Sequence, residues 1–88
     1  MGAAPSPGLG LDLRGFTVEE SLERLDHYLD AAMRAELPWV RIIHGKGTGA
    51  LRRAVREFLA NHPFVTAHET AADNEGGEGV TIARLVQA

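Results

Sequence analysis

A glycine-rich turn that carries a histidine and the chain's single lysine separates two apolar stretches of this sequence. The turn spans residues 44–49 and reads His-Gly-Lys-Gly-Thr-Gly, directly after the β-branched run of residues 40–43. An amphipathic stretch with arginines near its start follows it. This order sets free backbone N–H groups and the positive end of a helix dipole beside His44 and Lys46, an arrangement that suits a phosphate group. We therefore predict a phosphate-binding corner at this turn.

Charge is segregated along the chain, although its net charge of −3 alone would not indicate a nucleic-acid binder. Residues 17–36 hold six acids and two arginines, whereas residues 37–56 hold five Lys/Arg and no acid. The average therefore hides a local positive field that favours a nucleic-acid backbone as partner. The predicted backbone contacts are Arg41, Gly45, Gly47, Thr48, Gly49, Arg52, Arg53 and Arg56. The alternative is that the helical arginines only solvate an outer helix face.

The first strand and helix are predicted from periodicity and capping. Residues 9–14 alternate apolar and polar side chains, which is typical of a half-buried strand with Asp12 and Arg14 on one side. Thr17 and Glu20 have the spacing of a capping box, and apolar residues then recur at helical spacing to about Ala35.

The rest of the chain predicts a β-α-β-α-β-β order. Two successive strand–helix–strand crossovers favour parallel pairing among the first three strands, with the last strand antiparallel. We expect an α/β two-layer sandwich, with a mostly parallel four-stranded sheet and both helices on one face. The later elements are a strand at 39–43, a helix capped by Thr48 and ending near Asn61, a strand at 64–69, a glycine-rich acidic loop at 71–79 and a strand at 80–86. Within that loop, residues 76–79 are expected to be mobile.

Four polar side chains follow the first two predicted strands. The carboxyl ends of parallel strands share one edge of a sheet, so Asp12, Arg14, His44 and Lys46 are expected to meet at one rim. There His44 could transfer a proton, Arg14 and Lys46 could stabilise phosphorane charge, and Asp12 could orient His44 or hold a metal. One carboxylate disfavours a two-metal mechanism, which needs several. The sequence leaves the metal open, with Mg²⁺ and Mn²⁺ as candidates and Asp12 as the candidate ligand.

Simpler interpretations of the same residues stay open. Asp12 and Arg14 could form a surface salt bridge of small energetic value. His44 could cap backbone groups at the end of its strand, and the glycines could serve a tight turn without a ligand. Residues 45–50 also match the dinucleotide-binding pattern G-x-G-x-x-A, although the chain is short for a dinucleotide-binding domain.

Composition predicts one soluble domain. A chain of 88 residues holds one modest core, and the absence of cysteine excludes disulfides and cysteine-based zinc sites. No apolar run approaches the roughly 18 residues of a membrane span, and no signal-peptide core is present, so we expect a cytoplasmic domain without membrane contact. Residues 1–8 are predicted to be a disordered linker or leader, and residues 9–88 the domain.

Three motifs together resemble the Smr (small MutS-related) domain. They are residues 11–15 (Leu-Asp-Leu-Arg-Gly), residues 44–52 (His-Gly-Lys-Gly-Thr-Gly-Ala-Leu-Arg), and Gly76-Gly77 followed by residues 79–81 (Gly-Val-Thr). The resemblance extends over nearly the whole chain, with the motifs in order. Many Smr domains carry histidine where Arg14 stands. Arginine there is similar to the version at the C-terminus of the second MutS-like protein of bacteria.

The resemblance implies a fold similar to the C-terminal domain of translation initiation factor three. It also implies DNA binding and nicking endonuclease activity, directed at branched intermediates and associated with suppression of homologous recombination. Asp12 and Arg14 belong to the first of the three motifs. His44, Gly45 and Gly47 belong to the second. Arginine does not titrate near neutrality, so either His44 carries the proton transfer or the domain binds better than it cuts.

The predicted function is therefore a nicking endonuclease domain that acts on DNA. The alternative is a non-catalytic module that binds nucleic acid or the ribosome and acts in rescue of collided ribosomes, since Smr domains are also linked to RNA cleavage and ribosome rescue. We expect the isolated domain to be a monomer and the parent protein a homodimer.

Overall fold

A computed structural model describes residues 10–87. Predictions that concern residues 1–9 lie outside the described part of the chain. The secondary structure follows the expected order and consists of β1 (Leu11–Asp12), α1 (Val18–Arg34), β2 (Trp39–Ile43), α2 (Ala50–Ala60), β3 (Val65–Thr70) and β4 (Val80–Leu85).

The start of helix α1 is set by the capping box that the sequence predicts. The Thr17 hydroxyl accepts a hydrogen bond from the Glu20 amide at 3.1 Å, and the Glu20 carboxylate accepts one from the Thr17 amide at 3.1 Å. These two bonds satisfy amides that have no partner within the helix. The helix ends at Arg34, one residue before the expected end.

The sheet has the strand order β1-β2-β4-β3, which corrects the predicted pairing. Strand β1 pairs in parallel with β2 as expected, but β2 and β3 do not pair, because β4 lies between them and is antiparallel to both. The first three strands still run in one direction, so the sheet is mixed. The composition of β4 suits this central position, since apolar or small residues on both faces fit a strand that is covered on both sides.

The core lies between the two helices and one face of the sheet. Residues from both helices and from alternate positions of β2 and β4 form one buried cluster, so both helices cover the same face, as expected. Trp39 and Ile43 contribute to a smaller cluster on the other face, with Ala71, Val80 and Ile82. The main cluster contains Leu13, Leu25, Leu29, Ala32, Val40, Ile42, Val55, Leu59, Ala83 and Leu85.

Three local predictions need correction. The first strand covers only Leu11–Asp12, because the chain turns away after Leu13, whose amide still donates to the Ile43 carbonyl at 2.7 Å. Helix α2 has Gly49, not Thr48, at its N-cap; this glycine has φ +87°, a conformation that glycine adopts without strain. Strand β3 is shifted by one residue relative to the expected 64–69.

No helix within residues 10–87 is long and apolar enough to cross a bilayer.

Candidate nucleic-acid interface

An ion pair between Asp12 and Arg14 stands at the carboxyl end of β1. The guanidinium donates from Nε to Oδ1 at 3.0 Å and from Nη2 to Oδ2 at 2.7 Å, and the Arg14 amide also donates to Oδ1 at 3.0 Å. These bonds lower the pKa of the Asp12 carboxyl to about 2. Both side chains are exposed, with 64% of the Arg14 side chain and 47% of the Asp12 side chain accessible. Asp12 is therefore charged at neutral pH, and Arg14 is held open to a ligand.

The glycine turn meets this ion pair, as the convergence of strand ends predicts. A Cβ atom on Gly45 would lie 3.3 Å from Cγ of Arg14, so the arginine side chain packs directly over the glycine. Gly45 also has φ +79°, which disfavours any side chain at this position. The first two motifs therefore form one continuous surface. We call this surface the rim and define it as Asp12, Arg14, Gly45, Lys46 and Gly47.

His44 lies beneath the rim. It is 5% exposed, with Nδ1 2.8 Å from the Gly45 carbonyl oxygen and Nε2 2.8 Å from the Thr81 hydroxyl. Burial lowers the pKa of the imidazole, and the charges of Arg56 and Arg52 lower it further, so the ring is neutral at pH 7. Since Asp12 binds Arg14 with both oxygens, the structure does not bear out the expectation that Asp12 orients His44.

The third motif packs against the glycine turn. The Gly79 carbonyl accepts hydrogen bonds from the amides of His44 and Gly45, at 3.0 and 2.9 Å. A Cβ on Gly79 would lie 3.6 Å from Cα of Gly45 and 3.7 Å from Cγ of Lys46. The sequence predicted a glycine-rich acidic loop at residues 71–79, and within it the structure has two short 3-10 turns, Asp73–Glu75 and Gly77–Gly79, that support the rim.

Arg41 and Arg56, two of the predicted nucleic-acid contacts, donate to protein groups. Arg41 donates from Nη2 to the Glu75 carbonyl at 3.0 Å and so fastens the 71–79 loop. Arg56 donates from Nε to the Thr81 hydroxyl at 3.3 Å and from Nη2 to the Thr70 hydroxyl. Sequence reasoning missed both threonines. The Gly-Val-Thr order of the third motif was a signal for Thr81, whereas nothing in the sequence pattern marked Thr70.

The other predicted contacts surround the rim. Lys46, Gly47 and Thr48 are exposed, and the Thr48 hydroxyl accepts from the amide of Ala50 at 3.3 Å. Arg53 is exposed on helix α2, while its neighbour Arg52 forms an ion pair with Glu78 at 3.5 Å.

Backbone amides of the turn are free to meet an anion. Among residues 10–87, the amides of Lys46, Gly47 and Thr48 have no protein acceptor, whereas the Gly49 amide donates to the Lys46 carbonyl at 3.1 Å. The amino end of helix α2 follows immediately and adds the positive end of its dipole. Together with the cations of Arg14 and Lys46, these groups form a surface that can bind phosphate oxygens.

The donor set at the rim does not suit a divalent cation held by the protein. No group of three or more His, Cys, Asp or Glu side chains occurs among residues 10–87 that could hold a metal ion. Asp12, the candidate ligand, already binds Arg14 with both carboxylate oxygens. Mg²⁺ is commonly bound by one or two carboxylates together with substrate phosphates, so a metal at the rim would require Asp12 to release Arg14 and the substrate to supply further oxygen ligands.

A groove of about 970 Å³ between the two helices lies apart from this surface. Its lining includes Leu22, Asp26, Phe58 and His62, and none of the predicted site residues. The rim is an exposed edge instead, which is the shape that a bulky nucleic-acid backbone can reach. We therefore place the candidate site at the rim.

Comparisons with known proteins agree with the motifs. A model of the Smr domain matches residues 11–86. "Endonuclease MutS2" of Thermomicrobium roseum is 59% identical over 75 residues, and that of Enterococcus faecalis is 52% identical over 78 residues. These stretches cover 85% and 89% of this chain but 10% of each relative. The chain thus spans about a tenth of the length of the curated relatives it matches.

Solved structures give the same result for the fold. The Smr domain of Thermus thermophilus MutS2 has a TM-score of 0.86 and 45% identity, covering 88% of this chain and 96% of that one. YdaL, a stand-alone small MutS-related protein from Escherichia coli, has a TM-score of 0.86 and 29% identity, covering 98% of this chain and 70% of that one. The chain belongs to the Smr domain family.

Proposed function

We propose that this domain binds the phosphodiester backbone of DNA at the rim and nicks it by hydrolysis. The observation that carries the proposal is the meeting of Arg14, Lys46 and the unpartnered turn amides on one exposed edge. Relatives that contain this domain bear the name endonuclease, which supports the reaction class. Branched recombination intermediates are the proposed substrates, with suppression of recombination as the role of the parent protein.

In the proposed reaction, a water oxygen bonds to phosphorus while one P–O ester bond breaks. The leaving oxygen takes a proton from solvent, so the products are a phosphomonoester and a hydroxyl. The negative charge that develops on the phosphorane oxygens is stabilised by Arg14, Lys46 and the amides of the turn. Asp12 fixes the orientation of the Arg14 guanidinium group. No step is assigned to a metal.

Proton transfer is the part of the reaction that we assign to His44. The neutral imidazole is the form that can accept a proton from the attacking water. Nδ1 faces the Gly45 carbonyl and carries the proton of the neutral ring, so Nε2 is the accepting nitrogen and must exchange its hydrogen bond with Thr81 for one with the attacking water. Arg14 and Lys46 need no such rearrangement.

A plasmid-nicking assay tests the proposal. Supercoiled plasmid is incubated with the purified domain in EDTA, in Mg²⁺ and in Mn²⁺, and conversion to the relaxed circle is measured against time. We expect relaxed circles in at least one condition, at a rate proportional to the domain concentration. Supercoiled plasmid that stays intact in all three conditions would overturn the endonuclease assignment.

A second candidate function, binding without cleavage, is favoured by one observation. Both ring nitrogens of His44 are occupied inside the protein, so the site is better prepared for phosphate binding than for proton transfer. In that case RNA or the ribosome is the proposed partner. The domain then lowers the gel mobility of labelled RNA and DNA but does not nick plasmid.

Replacement of both Arg52 and Arg53 by alanine should lower affinity for unrelated sequences alike. Each phosphate contact adds about one unit to the slope of log affinity against log salt, so the slope should flatten by roughly 1–2 units. Arg52 must release Glu78 to contribute fully, which favours the lower figure. Fluorescence titrations of DNA and RNA at several salt concentrations measure the slope.

The matched control removes the same charge from helix α1, where Arg24 and Arg34 are exposed and are not among the predicted contacts; Arg24 stacks on Phe16 and Arg34 pairs with Asp30. Replacing both by alanine should leave the slope unchanged. Equal slopes for the wild type and the Arg52/Arg53 variant would show that these two arginines only solvate helix α2.

Replacement of Gly47 by valine should weaken nucleic-acid binding. Gly47 has φ +39°, and its Cβ would project into open space on the ligand side, so valine both strains the turn and obstructs the phosphate. The strain costs on the order of 1–3 kcal/mol, which a thermal melt reports beside the binding titration. Gly15→Val is the control, because Gly15 also has positive φ and an open Cβ position.

We expect Gly15→Val to lower the melting temperature similarly while keeping affinity. Wild-type affinity in Gly47→Val would identify the glycine as a simple turn residue.

A further inference from the structure

A chain of four hydrogen-bonding groups runs from helix α2 to the glycine turn. Arg56 donates from Nε to the Thr81 hydroxyl at 3.3 Å, the hydroxyl oxygen is 2.8 Å from Nε2 of His44, and Nδ1 is 2.8 Å from the Gly45 carbonyl. Thr81 is fully buried and His44 nearly so. Water therefore does not substitute for these contacts.

The chemistry of the two ends fixes the direction of every bond between them. The Gly45 carbonyl only accepts, so Nδ1 of His44 carries the proton. A guanidinium only donates, so Arg56 leaves the Thr81 hydroxyl hydrogen available. That hydrogen points to Nε2, which in this neutral tautomer is an acceptor. The Gly45 carbonyl thus specifies the tautomer of His44, and the Thr81 hydroxyl, which Arg56 supports, satisfies Nε2 and fixes the position of the ring.

The tautomer determines where the turn presents its amides. Nδ1–H holds the Gly45 carbonyl inward, against the ring. The peptide bonds of the described residues are all trans, and in a trans peptide the C=O and N–H groups point in opposite directions. The amide of Lys46 therefore points away from the ring, toward the exposed side of the rim.

We propose that Thr81 is a positioning residue, which acts through His44 to hold the Lys46 amide toward a phosphate oxygen of the ligand. The proposal deepens the phosphate-binding function proposed above and rests on it for the identity of the ligand. Arg56, which was predicted to contact nucleic acid, instead donates to the Thr81 hydroxyl and so orients it toward His44. The third motif thereby contributes a side chain, as well as the Gly79 carbonyl, to the support of the turn.

The test compares Thr81→Val, which keeps the shape but removes the hydroxyl, with Thr81→Ser, which keeps the hydroxyl. Thr66→Val is the matched control, because this strand threonine bonds the Arg84 carbonyl on an exposed face. Nitrogen-15 NMR of the DNA-free domain reports which ring nitrogen of His44 is protonated, together with the hydrogen exchange of the Lys46 amide. Titration of a fluorescein-labelled duplex DNA reports affinity.

We expect the wild type, Thr81→Ser and Thr66→Val to show the proton on Nδ1 and equal affinity. Thr81→Val leaves the buried Nε2 acceptor without a donor, so we expect a shifted Nε2 resonance, a changed exchange rate of the Lys46 amide and duplex binding weakened roughly 3- to 10-fold, the effect of one hydrogen bond. A merely structural role would lower the melting temperature without changing the exchange of the Lys46 amide.

A wild-type ring protonated on Nε2 would overturn the proposal, and so would a Thr81→Val domain with unchanged exchange of the Lys46 amide or unchanged affinity. Where Thr81→Val does not fold, the wild-type ring still tests the proposal, because protonation on Nε2 would overturn it. If the proposed function is wrong, the wild type itself does not bind DNA. That result is distinguishable from failure of the present proposal, because the ring and amide signals are measured without DNA.

Discussion

Replacement of His44 by alanine should lower the nicking rate by about 10²–10⁴-fold, the usual range for loss of an acid–base group. The variant loses the one histidine under the rim and also the Nδ1–H that holds the Gly45 carbonyl. Single-turnover nicking at saturating domain concentration measures the chemical step, and a DNA titration measures binding. Loss of rate with unchanged affinity identifies proton transfer as the main role, whereas loss of both identifies support of the turn.

His27→Ala is the control for this experiment. His27 is exposed on helix α1 and lies along the groove between the helices, away from the rim. This variant should nick at the wild-type rate. If His44→Ala nicks as fast as His27→Ala, the assignment of His44 is wrong and Asp12 becomes the next candidate.

Replacement of Arg14 by alanine should lower the nicking rate by about 10²–10³-fold, the effect of removing one group that stabilises transition-state charge. It also frees the Asp12 carboxylate, whose charge would then repel the phosphate. Arg14→Lys should recover only part of the rate, because an ammonium group cannot reproduce the two-pronged contact with Asp12. Single-turnover nicking of plasmid again gives the rate.

Arg34→Ala provides the matched comparison. Arg34 also pairs with an aspartate, Asp30, at 3.0 Å, but on the exposed surface of helix α1. Exposed pairs contribute little to stability, so both variants should fold and melt near the wild type. Equal nicking rates for Arg14→Ala and Arg34→Ala would show that the Asp12–Arg14 pair is only a surface salt bridge.

The order of the elements could be predicted from the sequence, and so could the meeting of the first two strand ends at which we propose the site. The capping box at Thr17, the bounds of β2 and the stripe of helix α2 are local patterns, and local patterns are what periodicity and capping report. The convergence of Arg14 with Gly45 also followed, since parallel pairing of β1 and β2 brings their carboxyl ends together. The three motifs were sufficient to predict the family.

Only the tertiary structure decided how the strands are ordered and what each polar side chain contacts. The position of β4 between β2 and β3 depends on pairing between residues far apart in the chain, which no local pattern encodes. That position brings Thr81 under His44 and within reach of Arg56. An arginine on a helix looks the same in sequence whether it faces solvent, phosphate or a buried hydroxyl. Its role is set by the strand that packs beneath it.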